Sequence, residues 1–413
     1  MESLTHNFLK KLQLFSPSKK IVIAYSGGLD SHVLLHLASQ MAGYSVRAIH
    51  INHGLQKEAD NWVSHCRQVC DALNIPVQLE YLNLSIEKGE SVEELARTAR
   101  YAVFKKSVQA DEVILTAHHQ NDQAETLLLQ LFRGAGVQGL AAMPQISVFG
   151  SAYHARPLLN ETRESLEAYA QTHQLAFIED PSNQDSTFDR NFLRNEIIPQ
   201  LRNRWPSIDK TISRSAGIQA ETKHILDDIA EQDLLSIKEN RQKNNTLLIK
   251  GLQGFSDSRQ KLLLRYWIQS NGFEAPSEKK LKHIFTDVID ASDDAQPLLA
   301  WHEAEIRRYQ GRLYIMSPLQ EHDSAQVISW DAPQEPLEIP SLELTLSVLE
   351  LSESIEPITI RFRQGGETVL HAKRGVTLSL KNLLNEAGIP PWLRSRIPLV
   401  YQGDTLIKVV GVD

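Results

Sequence analysis

Ile21-Val22-Ile23-Ala24-Tyr25-Ser26-Gly27-Gly28-Leu29-Asp30-Ser31 is the stretch whose reading decides the fold. Its first five residues are apolar and rich in β-branched side chains, which predicts a buried strand. Val33, Leu34, Leu35, Leu37 and Ala38 then form a helical apolar stripe beginning just after Asp30 and Ser31. Strand, glycine turn and helix start, in that order, aim a row of backbone N–H groups at one point. Paired glycines allow positive φ and a close backbone approach. Ser26, Ser31 and the free amides can wrap an anion at the helix N-terminus. A helix terminus alone contributes only about 0.3–1 kcal/mol per charge. A polyphosphate therefore needs the whole nest of donors and a cation, and Asp30 beside phosphates points to Mg²⁺. For an isolated Ser-Gly-Gly, a plain capped strand–turn–helix is the competing reading.

The surrounding chain extends this unit. Strands are predicted at 21–25, 46–52, 77–82 and 112–117, and helices at 32–42, 58–74, 91–109 and 121–133. That alternation implies an α/β fold with a doubly wound, mainly parallel sheet. Ligands then sit beyond the carboxyl ends of the strands. Ser26–Ser31, His50–His53 and His118–Glu125 all fall on that edge. The motif is not a Walker A loop, since no Gly-Lys-Ser/Thr follows, and it lacks the spacing of a dinucleotide-binding turn. It resembles the PP-loop of the ATP pyrophosphatase superfamily. The resemblance implies attack on the α-phosphate of ATP, with AMP and pyrophosphate as products.

The chain has 413 residues, more than one ordinary core accommodates. After about residue 205 a helical middle domain is predicted, with a long helix near 208–235, helical stretches at 262–267 and 281–288 and a hairpin at 301–316. A proline-rich stretch follows, then a small α+β C-terminal domain with a helix at 378–387. The expected boundaries are 1–213 for a catalytic ATP-binding domain, 214–320 for a middle domain, 321–340 for a linker and 341–413 for the last domain. No run approaches a membrane span. The first 15 residues read as an amphipathic helix, not a signal peptide, so a cytoplasmic protein is expected. Two cysteines, Cys66 and Cys70, exclude a disulfide framework and a Cys-x-x-Cys pair, and read as core residues of a helix.

The net charge of −8 hides local basic faces. Residues 321–356 hold nine acids and no Lys or Arg, whereas 361–408 hold eight basic residues against three acids. A second basic stretch runs through Arg190, Arg194, Arg202, Arg204, Lys210 and Arg214.

After the strand at 113–116, a helix would place His118, Asp122 and Glu125 on one face, at i, i+4 and i+7. One imidazole and two carboxylates can bind a cation or manage protons; a solvated acidic face is the alternative. His50 and His53 suggest contact with a base or ribose. Arg97 could reach a phosphate, or pair with Glu93 or Glu94. Arg190 and Arg194 share a helix face after the loop Glu179-Asp180-Pro181-Ser182-Asn183.

Together, SGGLDS, HINHGL, ELARTARY, TAHHQNDQAET, RGAG, RPLL and EDPSN with FDRNFLRN resemble the tRNA(Ile)-lysidine synthetase family. RFRQGGE, IPPWLRSRIPLVY and VVGVD are similar to that family's C-terminal RNA-contacting domain. The resemblance implies ATP-dependent joining of free L-lysine to the wobble cytidine of the isoleucine tRNA with a CAU anticodon. Carried over by motif, it implies that Ala24, Ser26, Gly27, Gly28, Leu29, Asp30, Ser31, His50 and Arg97 bind ATP, with Asp30 near Mg²⁺. Asp122, Glu125, Arg190 and Arg194 would hold lysine by pairing ammonium with carboxylate and carboxylate with guanidinium. Asp30, His118, Asp122 and Glu125 are the catalytic candidates, and His118 or either carboxylate could accept the proton of an amine whose pKa starts near ~10.4. Arg202, Arg204, Arg361, Arg363, Lys373, Arg394 and Arg396 are the expected tRNA contacts. A homodimer is left open. The rivals are a PP-loop tRNA thiolase, which needs sulfur-carrying cysteines, an amidotransferase, which needs a glutaminase domain, and a non-catalytic binding protein.

Overall fold

The computed structural model describes residues 4–54, 59–82, 92–238, 245–292, 295–342, 344–347, 357–371 and 376–412. It divides into two compact units, 1–226 and 227–413.

The first unit is built on a six-stranded sheet. Its elements are α1 (Leu4–Phe15), β1 (Lys20–Ala24), α2 (Leu29–Ser39), β2 (Ser45–Asn52), α3 (Ala59–Ala72), β3 (Val77–Tyr81), α4 (Val92–Ser107), β4 (Val113–Leu115), α5 (Gln120–Phe132), α6 (Val137–Leu140), β5 (Ile146–Phe149), β6 (Ala152–Ala155) and α7 (Arg163–Thr172). The strand order is β3-β2-β1-β4-β6-β5, parallel except for the β5–β6 hairpin. Residues alternate across β1 as a pleated strand requires. Ile21 and Ile23 pack with α1 and α2, while Val22 packs with Phe104 and Val108 of the opposite layer. Both faces are covered, so the apolar run of β1 is continuous. Sequence-adjacent connections lead outward from β1 in one direction and return to β4 on its other side. That reversal is the switch point at which such sheets bind ligands, and it sets the loop after β1 beside the loop after β4.

A further helical run closes the unit: α8 (Asp189–Phe192), a π turn at Leu193–Ile197, α9 (Ile198–Arg204) and the start of α10 (Ile208–Ile237).

In the second unit, β7 (Thr246–Leu248), α11 (Ile249–Gln253), α12 (Asp257–Ser270), α13 (Glu278–His283), β8 (Leu298–Trp301), β9 (Ala304–Tyr309) and β10 (Arg312–Met316) enclose a core around fully buried Trp267. The hairpin expected at 301–316 is part of a four-stranded antiparallel sheet, β7-β10-β9-β8. Its edge strand β7 comes from 50 residues earlier, a pairing that local sequence patterns do not disclose.

The last part contains β11 (Ile328–Ser329), β12 (Leu337–Ile339), β13 (Leu344–Leu346), β14 (Ile358–Arg361), β15 (Thr368–His371), β16 (Val376–Ser379), α14 (Leu380–Glu386), α15 (Pro391–Arg394), β17 (Leu399–Gln402) and β18 (Thr405–Val409). β11 pairs with β14, and Trp330 is 3% exposed in the core with Ile360 and Val400. Part of the 321–340 stretch is thus built into this module: a large indole donating to Ala332 O and Glu335 O gains more by burial than a free linker offers.

Candidate active site

The turn after β1 has the shape its residues dictate. Gly27 has φ +88°, and a Cβ there would lie 2.8 Å from Ile178 Cδ1 and 2.9 Å from Cys66 Sγ. Gly27 is therefore required by the fold. Gly28 has an ordinary φ of −74° and caps α2, and a Cβ there would meet nothing nearer than 3.6 Å. Ser26 Oγ lies 3.0 Å from Ser31 Oγ, and the Ser31 hydroxyl donates to Gly28 O at 3.0 Å. The turn is braced from below by Ile178 N–H, which donates to Gly27 O at 3.0 Å.

A cavity of about 350 Å³ opens beside this turn, lined by Ala24, Ser26, His50, Asn52, Arg100 and His118 among others. The His50 imidazole, pushed down by burial, has Nδ1 3.0 Å from Tyr25 O. A carbonyl only accepts, so Nδ1 carries the proton. Asp180 and Ser182 of the Glu179–Asn183 loop complete the wall. Arg97 is exposed and stacks on Tyr101 at 4.9 Å. It does not line the cavity; Arg100, one turn later, does.

At the start of α5 the structure departs from the expected stripe. The helix begins at Gln120, so His118 precedes it, and His119 is its N-cap. His119 Nδ1 accepts from Asn121 N–H at 3.3 Å, while Asp122 Oδ2 accepts from His119 N–H at 3.0 Å. This reciprocal cap fixes His119 between two carboxylates: its Nε2 lies 3.8 Å from Asp30 Oδ2 and 3.4 Å from Asp122 Oδ2.

Behind it lies a buried charge network. Arg190 donates to Glu125 at 2.7 Å and to Asp122 at 2.8 Å. Arg194 donates to Glu125 at 2.7 and 2.8 Å and to Asp122 at 2.9 Å. Burial pushes the Asp122 carboxyl up, but His119, Arg190, His118 and Arg194 outweigh it and hold the group well below the usual carboxylate range. Burial raises the Asp30 carboxyl against the pull of His119 and Arg163. Asp30 accepts from Arg163 Nη1 at 2.9 and 2.8 Å. The arrangement can hold an anion at the glycine turn and a zwitterion at the network, with His119 between.

A PP-loop domain family matches residues 1–201, a TilS substrate binding domain matches 247–314 and a TilS substrate C-terminal domain matches 358–413. The tRNA(Ile)-lysidine synthase of Coxiella burnetii is 44% identical, covering 98% of this chain and 91% of its own. The chain belongs to the tRNA(Ile)-lysidine synthase family. That of Methylococcus capsulatus is 41% identical over 96% of this chain and 92% of its own. A solved U34-tRNA thiolase from Methanococcus maripaludis, 16% identical, aligns to 52% of this chain and 78% of its own at a TM-score of 0.46, a likeness too slight to bear on chemistry.

As in other members of the tRNA(Ile)-lysidine synthase family, a PP-loop domain implies use of ATP. Of the site residues, Arg163 as partner of Asp30 is missing from the sequence reading, and the sequence does not separate His119 from His118 or Arg100 from Arg97. Arg163 follows the N-cap Thr162, so its position at a helix start was legible, but its partner was not. Among the described residues no helix is long and apolar enough to cross a membrane.

The expected basic contacts sit in different surroundings. Arg202 is paired with Asp209 at 2.6 Å. Arg204 is exposed and lies 6.0 Å from the centre of the exposed Trp205 ring. Arg361 stacks on Tyr401 at 4.5 Å and donates to Gly403 O. Arg363 is partly buried, and Arg396 donates to Gln320 O at 2.7 Å. Arg394 is 9% exposed and donates to Ile389 O and to the Tyr309 hydroxyl, both at 2.9 Å. Lys373 lies outside the described residues.

Proposed function

We propose that this chain uses ATP to join the ε-amine of free L-lysine to C2 of the wobble cytidine of the isoleucine tRNA with a CAU anticodon. The C2 carbonyl oxygen attacks the α-phosphate and pyrophosphate leaves. The amine, having lost a proton, then attacks C2, and AMP leaves with the oxygen. Family membership supports the substrates. The observation that carries the mechanism is His119, which touches both Asp30 of the phosphate turn and Asp122 of the charge network.

Each residue has a part. Ser26, Gly27, Gly28 and Ser31 bind pyrophosphate through their amides and hydroxyls. Asp30 is a hard oxygen donor at the start of α2, and its side chain keeps 29% exposure. That suits Mg²⁺, which binds through one or two carboxylates plus substrate phosphates. Mg²⁺ would there neutralise phosphate charge, while Arg163 releases or shares Asp30. Asp122 and Glu125, with Arg190 and Arg194, take the ammonium and carboxylate groups of lysine. Their mutual pairing is the same charge pattern that a zwitterion offers. No protein nucleophile is needed. Cys66 and Cys70 are buried and burial pushes both thiols up to about 12, so neither suits the thiolase alternative.

Residues 1–213 form the catalytic part in this reading, while 214–320 and the C-terminal module, which takes in part of 321–340, hold the tRNA. The deciding experiment measures pyrophosphate release from ATP. Release that requires both the isoleucine tRNA and lysine is expected. A thiolase would ignore lysine, and a binding protein would release nothing.

A further inference from the structure

Arg156 is the fixed point of a buried hydrogen-bond chain that ends at the nucleotide cavity. It is 6% exposed and held by Pro144 O, which accepts from its Nη1 at 2.8 Å. A guanidinium has donors only. Its Nη2 lies 3.2 Å from His154 Nδ1, so that nitrogen accepts and the proton of neutral His154 sits on Nε2. His154 Nε2 is 2.8 Å from Thr116 Oγ1, and Thr116 Oγ1 is 2.8 Å from His118 Nδ1. The threonine oxygen receives the His154 proton, and among the described residues its one other partner is His118 Nδ1, so its own single proton goes there. A neutral imidazole whose Nδ1 accepts carries its proton on Nε2. His118 and Thr116 both line the cavity that Ser26 and His50 also line.

We infer that Arg156, His154 and Thr116 are positioning residues that hold His118 as the neutral Nε2–H tautomer, a donor to an oxygen of the bound nucleotide and not the base that deprotonates lysine. The identity of the acceptor rests on the adenylation reading above; the tautomer does not. A protonated His118 would turn an N–H toward Thr116, whose oxygen could take it only by leaving its own proton without a partner among the described residues. The charges agree. Burial, then Arg156 and Arg97, hold His154 at about 3. Burial holds His118 well below its ordinary value; Asp122 pulls it up, and Arg156, Arg190 and His154 push it down. The amine's proton then goes to a group of the site other than His118.

The alternative is a chain that merely satisfies buried polar atoms. Two-bond proton–nitrogen correlation spectra of the full chain, labelled with ¹⁵N-histidine, separate the two. The expected spectrum shows His118 with a proton-bearing Nε2 and a bare Nδ1 from pH 6 to 8. Thr116→Val, which keeps the shape and removes the hydroxyl, should bring in the Nδ1–H form. It should also lower kcat for pyrophosphate release at least tenfold, with KM for ATP changed less than threefold. Thr116→Ser should restore both. A wild-type His118 that is Nδ1–H or doubly protonated at pH 7 overturns the inference, whatever becomes of the valine variant. So does a Thr116→Val enzyme with unaltered kcat, which would remove the donor role. Failure of the wild type to release pyrophosphate would refute the adenylation reading alone, since the spectra judge the chain without turnover.

Discussion

Arg194 grips Glu125 through two parallel bonds, Nε to Oε1 at 2.7 Å and Nη2 to Oε2 at 2.8 Å. Arg190 adds a third at 2.7 Å, and Glu125 is 1% exposed. A buried carboxylate shared by two guanidinia is costly to disturb, since its loss strands positive charge; breaking such a pair costs about 3–5 kcal/mol. Glu125→Gln keeps the shape and removes the charge. It should raise the lysine concentration for half-maximal pyrophosphate release at least tenfold and lower the melting temperature, with the ATP requirement changed less than threefold. An unaltered lysine requirement would take Glu125 out of the amino-acid pocket.

Asp30 faces Arg163 and His119 on one side and the glycine turn on the other. Asp30→Asn retains an acceptor for Arg163 but no longer carries charge for a cation. Pyrophosphate release should fall about 10²–10³-fold, the scale set by losing one electrostatic group at a reacting centre. Filter binding should show tRNA affinity within threefold of the wild type. If tRNA binding is lost as well, Asp30 is a structural residue.

The adjacent glycines should answer differently to the same substitution. Gly27→Ala forces a Cβ against Ile178 and Cys66 at positive φ, and should cost about 1–3 kcal/mol of stability. Gly28→Ala meets no protein atom closely, so stability should stay within about 0.5 kcal/mol. If the turn binds phosphate as proposed, the methyl stands in its way and KM for ATP should rise at least tenfold. Normal ATP binding by a stable Gly28→Ala variant would mean that phosphate does not approach this turn.

The legible parts of this molecule are those whose signal is local. β1 and α2 announce themselves by apolar periodicity, and Asp122 with Glu125 by spacing on α5. Resemblance groups Arg190 and Arg194 with those carboxylates as lysine contacts, but that the guanidinia pair with the carboxylates themselves is not legible in the sequence. What was illegible depends on which strand lies next to which. His154 and Arg156 are an ordinary strand end until β6 pairs with β4 and sets them beside Thr116. His118 looked like the first member of a helical stripe because nothing local says that His119 caps the helix. Arg97 and Arg100 are indistinguishable by spacing, and only the packing of α4 turns Arg100 to the cavity.

Three imidazoles of the first unit make its stability sensitive to acid. Burial lowers His32 and His53 to about 4 and His154 to about 3. The groups facing them add to the effect: His65 and His36 at His32, Arg100 and His50 at His53, Arg156 and Arg97 at His154. In the unfolded chain each titrates near ~6.5. The native form therefore binds fewer protons, so the stabilisation is complete above pH 6.5 and drains away as pH falls toward 4. Asp30, raised by burial, contributes with the opposite sign. Denaturant unfolding at pH 7 and pH 5 should show a clear loss at the lower pH, with a slope of at least about three protons, since burial lowers His36, His50 and His118 as well. Equal stability at the two values would mean that these imidazoles are solvated.

Arg394 and Arg396 read alike in the sequence, yet Arg394 is committed to the fold. Its guanidinium donates to Ile389 O and the Tyr309 hydroxyl and lies 5.7 Å from the centre of the Tyr309 ring. Trp392, two residues earlier, packs against Tyr309 and Tyr314. Arg394→Gln should destabilise the second unit by about 1–3 kcal/mol, the cost of orphaned buried partners. It should leave the slope of log affinity against log salt untouched. Arg204 presents the opposite case, exposed and beside the exposed Trp205 ring, a combination suited to phosphate and base. Arg204→Gln should leave stability unchanged and remove about one unit from the salt slope of tRNA binding. A slope that falls with Arg394→Gln and not with Arg204→Gln would put tRNA phosphate at the C-terminal module, and Arg394 would then have to leave Tyr309 to reach it.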